Sequence, residues 1–225
     1  MIVDWGSGVQ RVAGHPPYVP RDFSALVGLK SIPDALVAAH LKLYEGYVRN
    51  MNLLSRRGQE AELGGPEWSE MTRRVGFEVN GMRLHELYFE NLSPQASRPS
   101  PALSEGVAAG WDSFREWEEE FRAMGRMRGV GWVILYQDPV QGRLSNHWIT
   151  LHEEGHPAGF TPLLVMDVWE HAYSGMDRSK YIDAFFRNIH WSKVEERRIG
   201  LSGMPVAGDS VKREREEIGD DVERS

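Results

Sequence analysis

The chain has 225 residues, 41% of them hydrophobic and eight of them Trp, enough apolar material for one large domain or two modest ones. A balance of 26 basic against 33 acidic residues, a net charge of -7, disfavours nucleic acid and anionic membranes as general partners. With no Cys, disulfides, thiolate zinc sites and cysteine nucleophiles are excluded, so any metal must sit on His, Asp or Glu. The opening Met1–Val12 has no basic region followed by an apolar core, and no segment approaches the ~18 apolar residues of a membrane span. A soluble cytoplasmic protein is the expectation.

Ser31-Ile32-Pro33-Asp34 predicts a helix start, with Ser31 as cap and Pro33 in the first turn, and the helix should run to about Leu54. Its positions Leu36, Val37, His40, Leu43, Tyr44, Tyr47 and Val48 recur at three and four, which puts His40 on the buried face. Gly64-Gly65-Pro66 breaks the chain, and a second helix from Pro66 towards Leu92 carries Val75, Phe77, Val79, Met82, His85, Leu87 and Phe89. The two form a helical hairpin, and the Pro/Ser-rich stretch Ser93–Ser104 marks a boundary.

Beyond it, Pro101–Met127 reads as helical with a restart at Asp112-Ser113, and Gly129–Gln137 as a buried strand. After a turn at Asp138–Gly142, Arg143–His152 is the second arm of a hairpin and Pro162–Trp169 a third strand. Asp177–Ile189 and Trp191–Ile199 return to helix. The predicted fold class is α+β: an N-terminal antiparallel α-helical hairpin followed by an α/β domain with a small three-stranded antiparallel sheet. The predicted division is 1–95 for the N-terminal segment and hairpin, 96–205 for the α/β domain, and 206–225 for a charged, disordered tail.

The run D-V-W-E-H-A-Y (Asp167–Tyr173) follows the apolar stretch Pro162–Met166. Its carboxylate and imidazole, four residues apart at a strand end, form half of a metal site. His40 and His85 on the two helices are candidates for the other half. Three imidazoles and one carboxylate suit iron, manganese or zinc. Taken singly, His40 on an apolar face reads as a satisfied core histidine rather than a ligand, and His85 reads only slightly more as a ligand. His152 beside Glu153-Glu154 reads as a strand-end residue, and His156 as a solvated one, because Gly155 and Pro157 oppose a helix that would pair it with His152.

On these residues the chain resembles the iron/manganese superoxide dismutase family, whose signature is the D-V-W-E-H-A-Y run. Also similar are Tyr47-Val48 with Asn50, and His85–Pro94 against the family's H-x-x-[FY]-[FW]-x-N-L-x-P. Gly129–Trp132 matches G-x-G-W, and Tyr181–Phe185 followed by Trp191 matches further on. The resemblance covers about Pro16–Arg198. It implies a site for one Fe or Mn ion per subunit, with His40, His85, Asp167 and His171 as ligands and a solvent as fifth, converting superoxide to dioxygen and hydrogen peroxide.

The resemblance further implies Tyr47 as a gateway tyrosine and Trp132 and Trp169 as an aromatic wall. It implies an outer-sphere donor to the solvent, either on helix two, where Gly81 has no side chain to offer, or in the loop position occupied by His152, where the family carries Gln or His. Lys42 and Arg178 match basic residues at the substrate funnel. Glu170 resembles a glutamate that crosses a homodimer interface to His171 of the partner subunit, with Tyr173 alongside.

The chain departs from the family in helix one. The family's ligand His lies eight residues before the gateway tyrosine, whereas His40 lies seven before Tyr47 and the strict counterpart is Ala39. Loss of one residue upstream of Tyr47, with both ends keeping their faces, is the expectation. Leu43-Tyr44 replaces a histidine pair, and Ser174-Gly175 stands in a shortened segment. Two alternatives stay open: a metal-binding homologue with weak or no dismutase activity, and a metal-free helical interaction protein.

Overall fold

Two long helices carry the first half of the chain, in a computed structural model that describes residues 16–202. The opening Met1–Val12 and the predicted tail 206–225 lie outside the described residues. Helix α1 (Asp34–Glu60) buries Val37, His40, Tyr44, Val48 and Met51, a three-and-four spacing that makes one stripe. It begins differently from the sequence expectation. Pro33 is the N-cap, in extended backbone, and Ser31 instead occupies a left-handed turn at φ 61°. The Asp34 carboxylate accepts from the Gly28 backbone N–H at 2.8 Å, and the helix runs six residues past Leu54 to Glu60.

The connection 61–65 turns through Gly64, at φ +78°, and Pro66 opens α2 (Pro66–Glu90), folding it back along α1. In its second half α2 is buried on more than one side, at Met82, Leu84, His85, Glu86, Tyr88 and Phe89, because it lies between α1 and the sheet. Two short helices follow, α3 (Pro101–Ala108) and α4 (Phe114–Gly125). Ser100 and Ser113 cap them, each hydroxyl accepting a backbone N–H at 3.1 Å.

Strands β1 (Gly131–Gln137), β2 (Leu144–Thr150) and β3 (Thr161–Asp167) form an antiparallel sheet in the order β2-β1-β3. Central β1 is buried along its whole length. Gly131 sits at φ +154°, and a Cβ there would collide with the Ile149 carbonyl oxygen across the ladder, so only glycine fits. The register sets Trp132 opposite Asp167. A single 3-10 turn (Glu170–Tyr173) then leads to α5 (Arg178–Arg187) and α6 (Trp191–Ser202). Among the described residues no helix is long and apolar enough to cross a membrane.

What locks the hairpin to the sheet is Asn91, fully buried at the end of α2. β3 is an edge strand, so its outer backbone groups need partners from elsewhere. The Asn91 Oδ1 accepts the Val165 N–H at 2.8 Å, and Arg197 donates to the Leu163 carbonyl at 2.8 Å and to Asn91 Oδ1 at 3.2 Å. Arg197 also pairs with Glu90 at 2.6 Å, so α2, β3 and α6 meet in one polar joint. Asn91→Leu strands the Val165 N–H in the core, and unfolding in urea should register a loss of about 1–3 kcal/mol, the cost of an unpaired buried polar group.

Candidate metal centre

Four side chains from four separate elements converge at this joint between hairpin and sheet. His40 comes from α1, His85 from α2, Asp167 from the last position of β3, and His171 from the 3-10 turn. The Nε2 atoms of His171, His40 and His85 lie 3.0, 3.2 and 3.7 Å from the same Asp167 oxygen, Oδ2. One ligand atom from each of the four falls within 4.8 Å of the others. His40, His85 and Asp167 are buried, and the His171 side chain is 24% exposed.

The spacing in α1 resolves without a bulge. The helix is unbroken from Asp34 to Glu60, and seven residues make close to two full turns, so His40 and Tyr47 project from one side. Ala39, the strict counterpart of the family's histidine position, is exposed on the outside of the helix.

Hydrogen bonding decides where the His85 lone pair points. His85 Nδ1 lies 2.6 Å from the Gly81 carbonyl, which can only accept, so that nitrogen carries the hydrogen and Nε2 presents a lone pair to the cluster. The Nε2 atoms of both His85 and His40 are buried without a hydrogen bond. Burial pushes the pKa of both below the ordinary histidine value. Burial acts to raise Asp167, but His171 and His40 outweigh it and hold the group well below the usual carboxylate range. Its Oδ1 accepts the Trp169 backbone N–H at 2.7 Å, which leaves Oδ2 to the three imidazoles. The Tyr181 hydroxyl donates to the Asp167 carbonyl at 2.7 Å and fixes the backbone from behind.

Two unpartnered buried nitrogens beside a buried carboxylate are costly in a closed protein interior, by about 1–3 kcal/mol each. A cation coordinated by those two nitrogens removes the cost. The donor set, three imidazoles and one carboxylate, fits a borderline transition-metal ion.

Around the cluster lies a shell of rings. Tyr47 Oη is 2.8 Å from His152 Nε2, and Trp132 Nε1 donates to His152 Nδ1 at 3.0 Å. The Trp169 ring stacks between His152 and His171, at centroid distances of 4.9 and 5.9 Å. Burial lowers His152 to about 4 and raises Tyr47 to about 12, the latter aided by the charges of Asp167 and Glu78. Both are therefore neutral at physiological pH.

Residues 99–197 match the family model of the iron/manganese superoxide dismutases, C-terminal domain. An iron superoxide dismutase of Cupriavidus metallidurans is 33% identical over 178 residues, 75% of this chain and 89% of that protein. The chain belongs to the iron/manganese superoxide dismutase family. A manganese superoxide dismutase of Halobacterium salinarum is 32% identical over 185 residues (79% of this chain, 91% of that protein). An iron superoxide dismutase of Pyrobaculum aerophilum is 30% identical over 190 residues (80% and 90%).

Within this superoxide dismutase fold, His156 and Arg178 sit otherwise than the sequence suggests. His156 is not simply solvated. It joins the Tyr136 hydroxyl at 2.6 Å to the His152 carbonyl at 2.9 Å, clamping the loop that carries His152. Arg178 Nε and Nη1 donate to the carbonyls of Gly125 and Gly129 at 2.8 and 3.0 Å, so its guanidinium is tied to backbone, whereas Lys42 is exposed. Tyr44 packs edge-on to Phe23 and Phe89, and its hydroxyl donates to Glu86 at 2.9 Å. Phe77, which sequence reasoning used only as core material, packs edge-on to His152 at 4.5 Å.

Gly81 has a positive reason to lack a side chain. The Tyr47 ring lies over it, and a Cβ would stand 2.5 Å from Tyr47 Cδ1 and 2.6 Å from Cε1. Helix propensity alone favours Gly81→Ala by about 1 kcal/mol. The clash reverses that sign: chemical denaturation should show no gain in stability, and a crystal structure of the variant should show Tyr47 displaced from His152.

Proposed function

We propose that this chain is an iron- or manganese-dependent superoxide dismutase acting in the cytoplasm as a homodimer, with His40, His85, Asp167 and His171 holding one ion per subunit. The observation that carries the reading is the meeting of three imidazole Nε2 atoms around one Asp167 oxygen, two of them buried and without a hydrogen bond. When bound, the ion supplies a one-electron couple, through which one superoxide loses an electron to become dioxygen and a second gains that electron and two protons to become hydrogen peroxide.

The residues of the chain do the rest. One carboxylate against a divalent or trivalent cation leaves the pocket net positive, which draws an anionic substrate inward despite the overall charge of -7. Trp132, Trp169 and Phe77 wall the site and limit water, which strengthens every charge interaction inside it. Tyr47 and His152 stand beside the cluster as neutral hydrogen-bonding groups, the tyrosine hydroxyl keeping its proton at working pH.

The dimer rests on the 3-10 turn. Glu170 is exposed and has no hydrogen bond or ion pair among the described residues, while the edge of the adjoining His171 ring is open. A second copy related by a two-fold axis offers its own Glu170 to that edge, with Tyr173 beside it.

Elemental analysis of the purified protein, with superoxide decay measured on iron-loaded and manganese-loaded samples, tests the activity. His85→Ala and Asp167→Ala should each lose the ion and the activity while circular dichroism remains native. Full metal occupancy in both variants would remove the assigned site. Glu170→Ala should raise the dimer dissociation constant in analytical ultracentrifugation.

A further inference from the structure

The two nitrogens of His152 meet partners of different kinds. Trp132 Nε1 is a donor with no acceptor capacity, and it lies 3.0 Å from His152 Nδ1 in a buried setting. Nδ1 therefore carries a lone pair and no hydrogen, which excludes both the imidazolium and the Nδ1–H tautomer. The single hydrogen of the neutral ring is on Nε2, 2.8 Å from Tyr47 Oη. A ring flip would present carbon to both partners and lose both bonds.

The ring is held against such a change from its backbone. Leu151 is fixed at φ 54°, Thr150 and Glu154 close the loop with a reciprocal backbone pair at 2.8 and 3.2 Å, and His156 ties down the His152 carbonyl. His152 thus donates to Tyr47. The hydroxyl hydrogen of Tyr47 is then left with no acceptor among the described residues.

We propose that Trp132, His152 and Tyr47 form a one-way hydrogen-bond chain, so that Tyr47 Oη–H is the donor to an oxygen species held beside the cluster and His152 makes no hydrogen bond to it. This rests on the superoxide dismutase reading and reassigns the outer-sphere donor within it. A glutamine at 152 would meet Trp132 with its carbonyl oxygen and keep two N–H hydrogens, one for Tyr47 and one to spare. Imidazole has none to spare. Trp132 is a positioning residue in this scheme, acting through the tautomer of His152.

Neutron diffraction from crystals of the perdeuterated, metal-loaded protein reads the chain directly. Deuterium is expected on His152 Nε2 and absent from Nδ1, with the Tyr47 O–D turned away from His152. Deuterium on Nδ1, or a Tyr47 O–D aimed at His152, overturns the proposal. The same map separates it from the underlying reading, because a cluster without an ion sinks the dismutase assignment whatever the tautomer.

Midpoint potentials of the loaded protein provide a second check. Tyr47→Phe should shift the potential, and the shift should shrink in a His152→Gln background, where the spare N–H substitutes. An unchanged potential in Tyr47→Phe, or an equal shift in both backgrounds, overturns the proposal. Trp132→Phe should also move the potential, whereas Phe121→Leu, an equally buried change away from the chain, should leave it in place.

Discussion

A carboxylate buried beyond the reach of water has to be answered by positive charge or by hydrogen bonds, and Asp167 meets this demand with the Trp169 N–H on Oδ1 and His171 Nε2 on Oδ2. Oδ1 is satisfied locally by the Trp169 N–H, while Oδ2 faces three imidazoles. His171 comes from the adjoining turn, but His40 and His85 come from the far side of the chain, over 80 residues away in sequence. The helical hairpin and the sheet must therefore be docked correctly before the cluster exists at all. Its geometry depends on docking as much as on the four side chains.

Asn91 and Arg197 supply that docking. Together they cap the open edge of β3 two to four residues before Asp167, and Arg197 joins the same point to Glu90 at the end of α2. His85 lies six residues before Asn91 on the same helix, so one polar joint fixes the relative height of two cluster members. Around it Tyr88, Phe89, Tyr181 and Phe185 fill the space between helix and sheet with rings, and the Tyr181 hydroxyl reaches the Asp167 carbonyl. The stability of the core and the geometry of the cluster are the same problem here.

Local patterns in the sequence carried much of this. Helical spacing marked the buried stripe of α1 with His40 on it, glycine and proline marked the hairpin turn, and β1 was visible as an unbroken apolar run. Motif resemblance brought His85, Asp167 and His171 together, and the structure places all four candidate residues in one cluster. Less was legible where long-range contacts decide. Nothing local distinguishes Ser31 as a helix cap from Ser31 in a left-handed turn, and the structure chose the turn. His156 sits among Gly and Pro like a surface residue, but Tyr136, twenty positions away, engages it. Arg178 could have faced solvent, and two backbone carbonyls claim it instead.

The straightness of α1 has a mechanical corollary. His40 and Tyr47 are separated by two turns of continuous helix, about 10 Å along its axis, with no kink or looser turn between them. They are two points on one unbroken helix. If α1 tilts or slides, the His40 imidazole and the Tyr47 phenol travel as a pair, so their separation is preserved while their alignment with the sheet changes. Adjustment between Tyr47 and its partner His152 must then come from the loop that bears His152.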